Sequence, residues 1–306
     1  MNKHKAGVFL LLLWFSNPGF AHPGSGIVVG EDHSVYFADT GFGVWKLSSD
    51  LKLQAWQGPA WHWLSQNRPG QFTSKHNIRV PEGDIKVIGE NPGLISSSSF
   101  PVTVGVDGAV YYPEVAPDET VQIMKLEISG RKALFAKLPA AEERGAEGKR
   151  IKAKWVHGLA ADDQGAIYYT ERYAIRRISK EGKVAPFSKQ LPPAPPERNP
   201  LLKEEHFGPA FYGLDVASDG TVYVAASAWC AVVAIKPQGE SSIVLQSQPP
   251  WAPTGVAVRD GSLYVLEYLH IPTTKREDWL PRVRKIDPTG TVSLLTTVEE
   301  ATRQNR

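Results

Sequence analysis

His157 and Glu171 are the residues of this chain whose types and spacing best support chemistry. A histidine set near a carboxylate can accept a proton as a general base, or share a divalent cation with it. His157 stands immediately before the apolar run Gly158-Leu159-Ala160-Ala161, and Glu171 immediately after Ile167-Tyr168-Tyr169-Thr170. Asp162-Asp163-Gln164-Gly165 joins the two runs as a tight turn, with Gly165 free to take positive φ. Pairing of the runs brings His157 and Glu171 to one end of a hairpin. Glu267 closes a similar run further on and is a third candidate ligand for a divalent cation such as Ca, Mg or Zn. Tyr212, Trp155, Trp61, Trp63, Arg172, His206 and His270 are candidates for ligand contact. Their rings can lie against a sugar or other flat molecule, and the guanidinium can hold a carboxylate or phosphate. Each has a structural alternative: a hydrogen-bonded histidine, a carboxylate that braces a loop, or a Trp that packs two sheets together.

The elements that must position these residues repeat along the chain. Residues 157–187 read as one unit of four short strands separated by tight turns, an antiparallel meander. Looser copies align on a Gly, a turn and a Tyr. The Tyr positions are 36, 111, 168, 223 and 264, so the spacings are 75, 57, 55 and 41 residues. A period near 40 with four strands per repeat predicts an all-β fold of propeller blades. Five blades are visible, and the 75-residue gap has room for a sixth, degenerate one around Asp84-Ile85-Lys86-Val87-Ile88. The expected fold is a six-bladed β-propeller.

Turn lengths then select a face. The turns between first and second strands are tight, as at Asp107-Gly108 and Asp260-Gly261, and so are those between third and fourth strands, as at Glu181-Gly182. The long segments fall in the other connections, so one face is bare and the opposite face is built up. Variable loops on a rigid scaffold carry function, which places the site on the built-up face. There the residues just before the first-strand glycines, Ser25, His157, Tyr212 and Thr254, should meet at the axis. Residues 138–154 read as a charged surface loop, and the tail from Glu299 as frayed.

Residues 1–21 read as a signal peptide, with Lys3 and Lys5 at its head, an apolar stretch over 8–15 and Gly19-Phe20-Ala21 as the cleavage site. The apolar stretch is too short to span a bilayer. Residues 22–306 then form a single propeller domain, exported to the periplasm or medium, monomeric and not inserted in the membrane. Without Lys3 and Lys5 the 34 basic residues fall to 32, equal to the 32 acidic ones. That balance gives no electrostatic case for nucleic acid or an anionic membrane. One cysteine, Cys230, excludes an internal disulfide, and its apolar surroundings suit a buried thiol.

The pattern Gly255-Val-Ala…Asp260-Gly261-Ser-Leu-Tyr264…Glu267, with its four counterparts, resembles the NHL-repeat propellers and the gluconolactonase and senescence-marker family. The segment from His157-Gly158-Leu159 to Glu171 is similar to the streptogramin lyase motif. The first resemblance implies a six-bladed propeller whose enzymes hold a divalent metal with residues before the first-strand glycines; His157 is the one such ligand type here. The second implies a His and a Glu around magnesium, although Trp155 stands where that motif carries an acid. Two expectations follow. One is recognition of a small molecule, sugar or peptide on the built-up face. The other is a metal-dependent hydrolase or lyase using His157 and Glu171.

Overall fold

The strands of this chain are apolar on two faces rather than one. Val35–Asp39 and Ala231–Ile235 are buried at every residue. A sheet made of such strands must be covered on both sides, and only its outermost strand can alternate, as Lys132–Lys137 does. The computed structural model describes residues 24–58, 61–67, 72–73, 75–81, 83–89, 93–139, 141–144, 150–153, 156–171, 173–188, 190–199, 210–271 and 278–304. It satisfies the burial requirement with six four-stranded antiparallel sheets arranged as a six-bladed propeller. The inner strands are Ile27–Val29, Trp63–Gln66, Thr103–Val104, Gly158–Ala161, Phe211–Val216 and Trp251–Arg259, which define blades 1 to 6. Each inner strand touches the next, and the sixth touches the first. An apolar cluster fills each of the six seams between neighbouring blades.

The repeated Tyr has a structural explanation. Tyr36, Tyr111, Tyr168 and Tyr264 lie directly opposite Lys46, Lys125, Arg177 and Lys285 on the third strands. Each cation sits over its ring at 5.4 to 6.0 Å. In blade 3 the turn Asp completes the group: the Tyr111 hydroxyl donates to Asp107 at 2.9 Å, and Lys125 pairs with the same carboxylate at 2.6 Å. Blade 5 breaks the pattern, because Tyr223 faces Ala234.

Blade 2 is the hidden blade, and it is threaded differently. Its sheet order runs Trp63–Gln66, Leu94–Ser97, Gly83–Ile88, Asn77–Val80 from the axis outward. The chain leaves the inner strand, crosses to the rim and returns inward. The strand directions still alternate, so every backbone pairing is kept. The cost is a long connection over 67–76, which starts at the end of the blade where the others have tight turns. The bare face is therefore not bare at blade 2. A second departure lies between blades 3 and 4: within the expected loop, Ala141–Arg144 pairs with Arg150–Ala153 as a hairpin.

Each blade comes from one continuous segment, so no strand pairing ties blade 6 to blade 1. Side chains close that seam. The Tyr268 hydroxyl donates to Ala38 O at 2.7 Å and accepts from Thr40 N at 3.2 Å. Thr254 Oγ1 donates to Gly24 O at 2.8 Å. The tail is not frayed: Glu300–Gln304 is a helical turn whose Arg303 reaches the fully buried Asp39, Nε to Oδ2 at 3.0 Å and Nη2 to Oδ1 at 2.5 Å. Trp45 Nε1 donates to the same carboxylate at 2.8 Å. Removing one partner of such a pair strands a buried charge. Arg303→Ala should cost about 3–5 kcal/mol in denaturant unfolding. Asp39→Ala added to it should cost much less than the two single losses together; additive losses would show that the pair does not close the seam.

Candidate functional site

The built-up end of the axis is assembled by close backbone approach. Ser25 N and Gly26 N both donate to His62 O, at 2.9 and 2.7 Å, which joins blade 1 to blade 2. A Cβ on Gly158 would lie 2.5 Å from Tyr212 O, and one on Gly255 would overlap the Ser25 carbonyl. Glycine is required at both places because no side chain fits between the strands. The inner strands are thus pinched together at this end, and the residues preceding the glycines form a floor above the pinch.

That floor is polar and aromatic. The His157 and Tyr212 rings, both half-buried, meet edge to face with centroids 5.7 Å apart. Beside them stand Ser25 and Thr254, both buried. The Ser25 hydroxyl meets no partner among the described residues. These residues come from four blades to one end of the inner strands, with the Thr254 hydroxyl held by Gly24 O at 2.8 Å. His157 N donates to Thr170 O at 3.1 Å, and Gly158 pairs with Thr170, so His157 and Glu171 do flank the same end of blade 4. The Glu171 carboxylate, however, is bound to Arg176 Nε at 2.6 Å.

The other candidates have different surroundings. Trp61 is buried in the seam of blades 1 and 2, with Lys86 Nζ 5.6 Å from its ring centroid. Trp63 is buried in the seam of blades 2 and 3. Both pack the interior and offer little surface to a ligand. Glu267 is fully buried, bonded by Arg282 Nε and the Ser247 hydroxyl, with Arg284 Nη1 at 3.7 Å. Two guanidinium groups around one carboxylate leave positive charge there, which disfavours a cation. Among the described residues no three His, Cys, Asp or Glu side chains converge as a metal site. His157, Glu171 and Glu267 do not form one. Trp155, Arg172 and His206 lie outside the described residues.

His270 is buried at the top of blade 6. Its Nδ1 lies 2.7 Å from the Asn199 side-chain amide nitrogen, and its ring stacks on Trp279. Asn199 N in turn donates to Ala228 O in blade 5, at 3.0 Å. Asn199 was not among the candidates; an Asn at the end of a proline-rich stretch was the only signal. Burial holds the His270 pKa down at about 4. The native state then binds this proton more weakly than the unfolded chain, so the stability it contributes is complete above pH 6.5 and is lost as pH falls toward 4. The loss should reach about 3 kcal/mol. In thermal melts, His270→Gln should flatten the pH 6.5-to-4 slope relative to the parent; an unchanged slope would contradict this placement.

Solved structures resemble the chain over most of its length. A streptogramin B lyase is 16% identical with a TM-score of 0.55, over 91% of this chain and 84% of the other. Virginiamycin B lyase from Staphylococcus aureus is 13% identical with a TM-score of 0.53, over 92% and 86%. A gluconolactonase from Xanthomonas campestris is 11% identical with a TM-score of 0.52, over 79% and 82%. The fold is the one these lyases and gluconolactonases share. At such identities the likeness concerns the fold alone. No family model matches the chain, and no curated protein matches its sequence.

Proposed function

We propose that this chain is an exported propeller that recognises a small molecule, sugar or peptide on its built-up face. The observation that supports this reading most is the floor of Ser25, His157, Tyr212 and Thr254, drawn from four blades to one end of the axis. Its side chains are hydrogen-bonding groups and rings, which suits a ligand with hydroxyl or amide edges and a flat face. Residues 1–21 act as the export signal on this reading. A metal-dependent hydrolase or lyase is the second reading, favoured by the shared end of blade 4 at which His157 and Glu171 lie. The Arg176 contact to Glu171 weighs against it, because it neutralises the carboxylate that flanks the same end of blade 4 as His157.

The test is a binding screen of the exported protein against sugars and short peptides, read by Trp fluorescence and calorimetry. A ligand should appear whose affinity falls about tenfold in Tyr212→Ala, the loss of one good aromatic contact. Silence across both panels, or binding that ignores Tyr212→Ala and His157→Ala together, would overturn the assignment. Stabilisation of the parent by Ca, Mg or Zn that disappears in His157→Ala would favour the enzyme instead. The exported chain should begin at His22 on N-terminal sequencing.

A further inference from the structure

Blade 6 carries two arginines where one would neutralise its buried acid. Arg282 and Arg284 lie two residues apart on the third strand, Pro281–Ile286, so both side chains leave the same face of the sheet. Glu267 of the second strand stands directly opposite Arg282, and Val265 opposite Arg284. Val265 packs in the cluster that fills the seam toward blade 5, which places Glu267 and the two guanidinium groups on that side. Lys285, between the arginines, turns to the other face, its Nζ 5.4 Å from the Tyr264 ring centroid. Ser247, on the way out of blade 5, donates its hydroxyl to Glu267 across the seam. The group stands two strands outward from Thr254 of the floor, about 10 Å at ~4.8 Å per strand.

The buried acid of the closing seam shows what a satisfied pair looks like. Asp39 has one arginine, Arg303, which is 2% exposed and donates to Asp39 and to Trp279 O. Glu267 is equally buried, yet its two arginines are 16% and 21% exposed. Arg282 reaches it through Nε. The Nη1–Nη2 edge of that guanidinium meets no hydrogen-bond acceptor among the described residues. Arg284 comes no closer to Glu267 than 3.7 Å and makes no hydrogen bond among them. Two cations against one carboxylate leave one positive charge in excess, with open donors that solvent can reach. An arginine fork takes an oxyanion through paired bonds.

Arg282 is also held in place before any ligand arrives. Its guanidinium carbon lies 4.1 Å from the Trp251 ring centroid, so the indole fixes the plane of the fork. A fork already ordered loses little freedom on binding. On the outer strand Leu294 pairs directly with Arg284 and is 58% exposed. We infer that Arg282 and Arg284 bind the carboxylate of a small monocarboxylic acid with an apolar body. The carboxylate meets the open edge of Arg282 and the guanidinium of Arg284, and its single charge cancels the excess. The apolar body lies against Leu294. A dianion such as phosphate would overshoot the excess and set its second charge against Glu267.

The experiment is calorimetric titration of the full exported chain with sodium hexanoate, beside 1-hexanol as the uncharged analogue and inorganic phosphate as the competing oxyanion. Hexanoate should bind more tightly than phosphate, 1-hexanol should not bind, and added NaCl should weaken hexanoate. Arg284→Gln, which removes no hydrogen bond from the fold, should raise the hexanoate Kd about tenfold. Arg282→Lys, which keeps a cation beside Glu267 and removes the fork, should raise it similarly. Leu294→Ser should weaken hexanoate more than it weakens acetate. Tyr212→Ala should bind hexanoate as the parent does, so this site and the floor stand or fail separately. No heat with hexanoate, equal binding of 1-hexanol, tighter binding of phosphate, or a Kd indifferent to both arginine substitutions would show two arginines that serve Glu267 and water alone.

Discussion

Every blade of this protein is apolar on both faces, so none is stable until it has a neighbour on each side. A row of such sheets leaves two faces exposed; a ring leaves none. The last seam is the decisive one because the chain brings no shared strand to it. It is closed by a core that includes Trp45, Phe37, Leu266 and Tyr268, and by the buried Asp39–Arg303 pair. Three residues from the far end of the chain thus hold its beginning: Thr254 grips Gly24, Tyr268 caps Ala38 and Thr40, and Arg303 neutralises Asp39.

Closure also makes the two ends of the axis different. Glycines at the heads of the inner strands let backbones touch at the built-up end, where the side chains before them are gathered into a floor. Toward the opposite end Asp215 spans from blade 5 to the backbone of blade 6, beside a cavity of about 360 Å³. The chemistry of the two ends diverges with the geometry. One gathers the His157 and Tyr212 rings, and the other is a recess whose lining includes Asp163, Asp215, Asp260 and Arg259.

Much of this was legible in the sequence because each repeat carries its own turn chemistry. A tight turn followed by a Tyr marks five blades, in four of them with a Lys or Arg opposite the Tyr, since those residues serve the geometry of a single blade. Blade 2 carries no such marker: the tight turn after its inner strand is replaced by the 67–76 connection, and only the apolar Ile85 and Val87 betray it. The floor residues were legible from their place before the glycines. Long-range partners were not. Glu267 read as a ligand because Arg282 and Arg284 lie on a different strand, beyond a long loop. Arg303 read as tail because nothing local shows that it ends against Asp39, 264 residues away. Trp61 and Trp63 read as platforms because a Trp that packs two sheets and one that awaits a ligand look alike in sequence.

Hydrogen exchange measured along the second strands tests ring closure most directly. If the seam is closed, amides of Val35–Asp39 in blade 1 and Ser262–Leu269 in blade 6 exchange as slowly as those of Val110–Val115 in blade 3 and Ile167–Thr170 in blade 4. Fast exchange confined to blades 1 and 6, with the others protected, would mean an open ring and would contradict the account.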